Sequence, residues 1–185
     1  MIRLDSNILS LDKNELVARM MCTDIDTVLS MSGMAEQEVK QHADCFYSYE
    51  KTSVTIDGDT VTLGFGNIKS RALAKNLEGC KSAYVVAVSL GHGVDRLLRQ
   101  KAVGSTAEHF TVDAVASTLC EALCDHVQGL LPQKSGRRFS PGYGDLDLNV
   151  QPRLLQYLGN CGIGLTESGL MIPSKSVTFI AGVKE

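Results

Sequence analysis

Apolar and polar residues recur along this chain with two different periods, and the changes of period mark out its elements. Asp12 followed by Glu15 is a capping-box pattern that opens a short helix over "KNELVARMM", residues 13–21. The stretch "DIDTVLSMSGMAEQEVKQHADCFY", residues 24–47, keeps apolar residues near helical spacing, with a weak point at Ser32-Gly33. The period then drops to two. "SVTIDGDTVTLGF" alternates β-branched and polar residues around Asp57-Gly58, which predicts a hairpin. "IKSRALAKNLEG" reads as a helix stopped by Gly79, and "SAYVVAVSL" as a buried strand running into a turn and helix, "GHGVDRLLRQKA". The longest helix starts near Ser105 or Thr106 and runs through "VDAVASTLCEALCDHVQGLL". Pro132–Leu148 shows neither period and reads as loop; "QPRLLQYLGN" follows as a short helix and "KSVTFIAGV" as a C-terminal strand.

Strands arrive first as a hairpin and then singly between helices, so at least one pair is antiparallel. That order predicts an α+β domain, a mainly antiparallel sheet flanked by helices, rather than a doubly wound parallel sheet. The chain divides into an N-terminal helical segment, residues 1–50, and an α+β body, residues 51–185. No internal repeat or low-complexity segment interrupts it.

Composition narrows the possible functions. With 185 residues, 44% hydrophobic and 21% charged, the chain can bury a sizeable core as one domain without staples. A formal charge of −3 with scattered Lys and Arg leaves no basic stripe to neutralise phosphates, which argues against a nucleic-acid partner. "MIRLDSNILS" carries Asp5 and no long apolar run, so it does not read as a signal peptide. Ala83–Leu90 falls far short of the ~20 apolar residues of a membrane span. A soluble, cytoplasmic protein is expected. Its six cysteines then read as reduced, buried thiols. Cys120 and Cys124 share a helix face near His126, but no second pair completes a zinc site, so they are assigned to core packing.

Three stretches carry candidate chemistry. "SLGHGVD", Ser89–Asp95, could bind an anion at a strand-to-helix corner, but lacks the third glycine and the downstream acid of a dinucleotide fingerprint. It reads as a tight turn. Glu121 sits among Leu119, Cys120, Ala122 and Leu123, and by pattern alone shares a narrow polar stripe with Asp125. "RRFSPGYGDL", Arg137–Leu146, gathers a planar guanidinium, a Pro141-Gly142 turn of type II character and an aromatic hydroxyl. These residues suit either a stiff connector or a clamp for a small ligand bearing a carboxylate.

The same residues resemble a known family. "RFSPGYGDL", "GIGLTESGLMIPSKSV" and "DAVASTLCEALCDHV" are similar to the activation domain of vitamin B12-dependent methionine synthase, and most of all to its short stand-alone relatives in anaerobic bacteria. The family's Arg-x-x-Pro-Gly-Tyr loop is matched by Arg138, Pro141, Gly142 and Tyr143. Its later segment is matched by Leu165–Ser168, Met171, Pro173, Ser176 and Val177, and the agreement in order holds from about residue 105 onward. The resemblance implies an activation-domain-like α+β fold that binds S-adenosylmethionine while docked on a partner's cobalamin-binding domain. Its work there would be to support reductive methylation of cob(II)alamin, with a flavodoxin- or ferredoxin-like electron donor. It further implies a component of a cobalamin-dependent methyltransferase system rather than a self-sufficient enzyme, with no general acid or base of its own. Carried over by motif, Arg138 would meet the ligand carboxylate, Glu121 its positive end, and Ser140, Gly142 and Tyr143 would complete the site. The alternative is a corrinoid-protein interaction module that binds no ligand itself. Two departures stand out: the longer domain's early acidic contact has no counterpart, and Ala181 falls near a ligand-contacting tyrosine of the larger enzyme.

Overall fold

The computed structural model describes residues 1–21 and 25–184. Cys22, Asp24 at the head of the second helical stretch, and Glu185 lie outside the described residues. In chain order the strands are β1 (Ile2–Leu4), β2 (Cys45–Ser53), β3 (Thr55–Asp57), β4 (Thr60–Leu63), β5 (Gly66–Lys69), β6 (Ser82–Ser89), β7 (Gly164–Leu165), β8 (Met171–Ile172) and β9 (Ser176–Val183). The helices are α1 (Lys13–Met20), α2 (Ile25–His42), α3 (Arg71–Asn76), α4 (His92–Gly104), α5 (Thr106–Leu130) and α6 (Gln151–Tyr157).

Strand β6 explains the architecture. It pairs antiparallel with β2 on one side and β9 on the other, in a four-stranded sheet ordered β1-β2-β6-β9. Its odd and even residues feed different cores. Tyr84, Val86 and Val88 pack against the helical layer with Leu119, Leu123 and Phe179. Ala83, Val85 and Ala87 pack on the opposite side with Val61, Ile68, Leu73, Leu154 and Ile180. A strand covered on both faces has no polar side to show, which is why "AYVVAV" reads as an unbroken apolar run. Each buried Val, Leu, Ile or Phe side chain here is worth about 1.5–3 kcal/mol of burial.

The expected α+β class is what the structure shows, with antiparallel sheets and helices throughout. Several boundaries differ, each for a physical reason. The second helix stops at His42 rather than Tyr47, because Cys45 and Tyr47 point to the helical core while Phe46 points to the other one. That is strand alternation, and these residues open β2. The helix passes through Ser32-Gly33 without a break. The third helix begins only at Arg71, where the Ser70 hydroxyl accepts from the Leu73 amide at 3.0 Å; Ile68 belongs to β5, a third strand on the predicted hairpin. A boundary at residue 50 falls inside β2, and Leu16, Val28 and Val39 share one core with α5. Gly91 and Gly93 in the "SLGHGVD" turn answer to packing: a Cβ would lie 2.6 Å from the Asp44 carbonyl at Gly91 and 1.9 Å from that of His42 at Gly93. No helix among the described residues is long and apolar enough to cross a membrane.

Candidate functional site

The stretch after α5 does not wander as a loop. Its first half runs antiparallel along the outer edge of β9: Gly136 donates to the Gly182 carbonyl at 2.7 Å, and Phe139 and Ile180 exchange backbone hydrogen bonds at 2.9 and 2.8 Å. The Gln128 amide fixes the start of this segment from α5, donating to Ser135 Oγ at 3.0 Å and the Gly136 carbonyl at 2.7 Å. Pairing of this kind satisfies an exposed strand edge. It also fixes side-chain direction, because alternate residues face opposite sides of the sheet. Arg138 is thereby aimed at the helical layer.

There its guanidinium meets the polar stripe of α5. Nη2 donates to Glu121 Oε2 at 3.1 Å, and Nη1 donates to Asp125 Oδ1 at 2.5 Å. The Phe179 ring lies beneath, its centroid 5.7 Å from the guanidinium carbon. Glu121 and Asp125 are four residues apart on one helix and so present both carboxylates on one side. Burial opposes the charge of Arg138, but Cys124, Asp125 and Glu121 outweigh it and raise its pKa above the ordinary arginine value.

Beyond Arg138 the chain makes the predicted turn. The Tyr143 amide donates to the Ser140 carbonyl at 3.0 Å with Pro141 and Gly142 between, and Gly142 has a φ of +90°. A positive φ at the third position is the type II requirement, and a side chain there would be strained. The turn is then clipped to the body by Asp145. Its carboxylate accepts from Ser70 Oγ at 2.6 Å, the Arg71 amide at 2.9 Å and the Ala72 amide at 3.1 Å. The Ser70 hydroxyl first, then the Ala72 and Arg71 amides, hold the Asp145 carboxyl below its usual pKa.

Between α5 and this segment lies a cleft of about 350 Å³, within the ~300–1,000 Å³ range of small-molecule sites. Glu121, Arg138, Ser140 and Tyr143 all line it, together with Asp125 and Gln128. Gly142 does not. It lines a second cleft of about 710 Å³ next door, which shares Arg137 and Tyr143 with the first and reaches Lys75 and Asn76 on α3. Tyr143 is 53% exposed and packs edge-on against Phe139, with ring centroids 6.1 Å apart.

Other sequence candidates are placed elsewhere. Of the Leu165–Val177 motif, only Val177 reaches the first cleft. Thr166 and Ser168 build the turn between β7 and β8, with hydroxyls 2.9 Å apart, and Ser174 ties to Asp95 on α4 through its amide at 3.0 Å. Ala181 is fully buried in the helical core and faces no cleft. Cys120 and Cys124 are core residues; the Cys124 thiol is pushed well above its ordinary pKa by its contact with Cys120 and by burial. Cys45, on the facing strand, is pushed up to about 12 by burial first and the neighbouring Cys120 second. The pattern of the chain points to the α5 stripe and the Pro-Gly turn but not to the Asp145 clip or the Gln128 tether, whose partners lie far off in sequence or on the backbone.

A central antiparallel sheet, a helical layer with one long helix, and a motif-bearing segment along the sheet edge define an activation-domain-like α+β fold. The chain is similar to a crystal structure of the MetH reactivation domain bound to AdoHcy, with a TM-score of 0.71 and 15% sequence identity over 98% of this chain and 77% of that one. No protein-family profile matches the sequence, and no curated protein matches it.

Proposed function

We propose that this chain is an S-adenosylmethionine-binding reactivation module for a cobalamin-dependent methionine synthase or a related corrinoid protein, in the cytoplasm. The observation that carries the reading is the convergence of Glu121, Arg138, Ser140 and Tyr143 on one cleft, within a fold like that of a domain solved with AdoHcy. The donor set fits the ligand chemically. A zwitterionic amino-acid tail needs a cation for its carboxylate and an anion for its ammonium group, and Arg138 and Glu121 supply both within one ion pair. On ligand entry that pair exchanges internal contacts for external ones; the amino-acid tail brings equal and opposite charges, and the sulfonium adds one positive charge. Glu121 also faces the sulfonium, and the Tyr143 ring offers a stacking surface for the adenosyl group.

The cobalamin on the partner would supply the nucleophile, once reduced by a flavodoxin- or ferredoxin-like donor, that accepts the methyl group. This chain's share is to bind the methyl donor, orient it and shield it from water. Rate enhancement then comes from proximity and alignment rather than from proton transfer.

Calorimetric titration with S-adenosylmethionine tests this, alone and with a cobalamin-loaded methionine synthase fragment. Wild type should bind and Arg138→Ala should not; absence of wild-type binding under both conditions removes the reading. A second reading, a docking module without a ligand, is favoured by one observation: Arg138 is already satisfied by Glu121 and Asp125. On that reading Arg138→Ala and Glu121→Gln both leave reactivation of the partner intact.

A further inference from the structure

We propose that Asp125 is a built-in competitor for the ligand's carboxylate, and so sets the preference of the cleft for ligands with or without one. The inference rests on the reading of the cleft as an S-adenosylmethionine site and deepens it. Each terminal nitrogen of Arg138 has one N–H engaged, Nη1 by Asp125 at 2.5 Å and Nη2 by Glu121 at 3.1 Å. The Phe179 ring covers one face of the guanidinium. A carboxylate binding in the two-pronged manner that suits guanidinium must share at least one of those nitrogens, through an N–H that neither acid uses. The ligand carboxylate and at least one acid then compete for the same nitrogen and lie close together as like charges.

The two acids are not equivalent. The Glu121 side chain is 30% exposed and lies next to the ligand's positive end. The Asp125 side chain is 74% exposed, at the mouth of the cleft, and returns to water at little cost. Once the ligand carboxylate holds Arg138, Asp125 becomes a third negative group with no cation of its own there. It opposes the ligand twice, first as a rival for Nη1 and then as a like charge. Removing its charge should tighten ligands that carry a carboxylate and leave the others unaffected. Should Asp125 serve instead to hold the guanidinium in place, the same substitution loosens them, so the sign of the effect decides.

Calorimetry on the full chain compares S-adenosylhomocysteine with 5′-methylthioadenosine, which lacks the amino-acid tail, for wild type, Asp125→Asn, Asp125→Ser and Glu121→Gln. Both Asp125 variants should bind S-adenosylhomocysteine about two- to fivefold more tightly, the range set by an exposed ion pair, with methylthioadenosine unchanged. Glu121→Gln should weaken S-adenosylhomocysteine. Unchanged or weaker binding in both Asp125 variants, or equal tightening of methylthioadenosine, overturns the role of Asp125 while leaving the ligand site standing. If neither wild type nor any variant binds either compound, the ligand site and the competitor fall together.

Discussion

Arg138 illustrates how much one residue's meaning depends on its neighbours in space. It is set by β9 pairing, faced by two acids of α5 and backed by Phe179. A lysine keeps the charge but gathers its donors on one nitrogen, so the planar two-pronged fork is lost. Arg138→Lys should therefore weaken S-adenosylmethionine binding by about tenfold or more, the loss expected for a charge-assisted hydrogen bond. Isothermal titration of the variant measures it. The motif resemblance made Arg138 and Glu121 legible, and helical spacing put Asp125 on the same stripe. That Arg138 would bridge the two was not legible, because the register of the edge segment on β9 comes from backbone pairing that leaves no pattern in side chains. Cys45 gives a second prediction at this scale. With its pKa pushed up to about 12, almost none of it is thiolate at pH 8. Labelling of native protein by iodoacetamide, read peptide by peptide, should leave Cys45 unmodified until denaturant is added; modification at the unfolded rate would contradict it.

Elements show where periodicity informs and where it misleads. The 3.6-residue period located α1, α2, α4 and α5, while β2 was hidden because its opening residues, Cys45 to Tyr47, continue the helix's apolar spacing by coincidence. The glycines separate the two situations energetically. Gly33 lies exposed in α2 with nothing within 4 Å of an added Cβ, so Gly33→Ala should stabilise by roughly 0.5–1 kcal/mol. In α4, Gly93→Ala should destabilise by roughly 1–3 kcal/mol, because its Cβ would meet the His42 carbonyl at 1.9 Å. Urea denaturation of both variants checks the opposite signs. The clip between α3 and the turn adds a pH dependence. Asp145 has a folded-state pKa below its ordinary value, so its contribution is present above about pH 4 and fades as pH falls through the lowered value. Asp145→Asn should thus lower the urea midpoint at pH 6, with the gap to wild type narrowing as pH falls below about 4; a gap that stays constant as pH falls would contradict the clip.

On the scale of the whole molecule, the cleft joins parts of the chain that no single element holds together. Its walls come from α5, from the edge segment and from the start of β9, and the turn beyond it is clipped to α3 on the far side of the sheet. A ligand held between Glu121, Arg138 and Tyr143 would thus cross-link the helical layer to the sheet edge. Anything that binds only the folded state stabilises it by mass action, about 2.7 kcal/mol at a ligand concentration one hundred times Kd. For a chain of this size that corresponds to a rise in Tm of about 5–10 °C. S-adenosylhomocysteine should produce this shift in wild type and lose it in Arg138→Ala. Hydrogen exchange adds the location, because local openings are slowed only in the parts the cross-link spans. For amides that exchange by local opening, protection should rise over residues 117–128 and 135–145 and stay flat in the β3-β4-β5 sheet, none of whose residues lines the cleft. Amides that exchange only through global unfolding gain protection in every layer, so the location is read from amides that open locally; no local gain over residues 117–128 and 135–145 would place the ligand elsewhere.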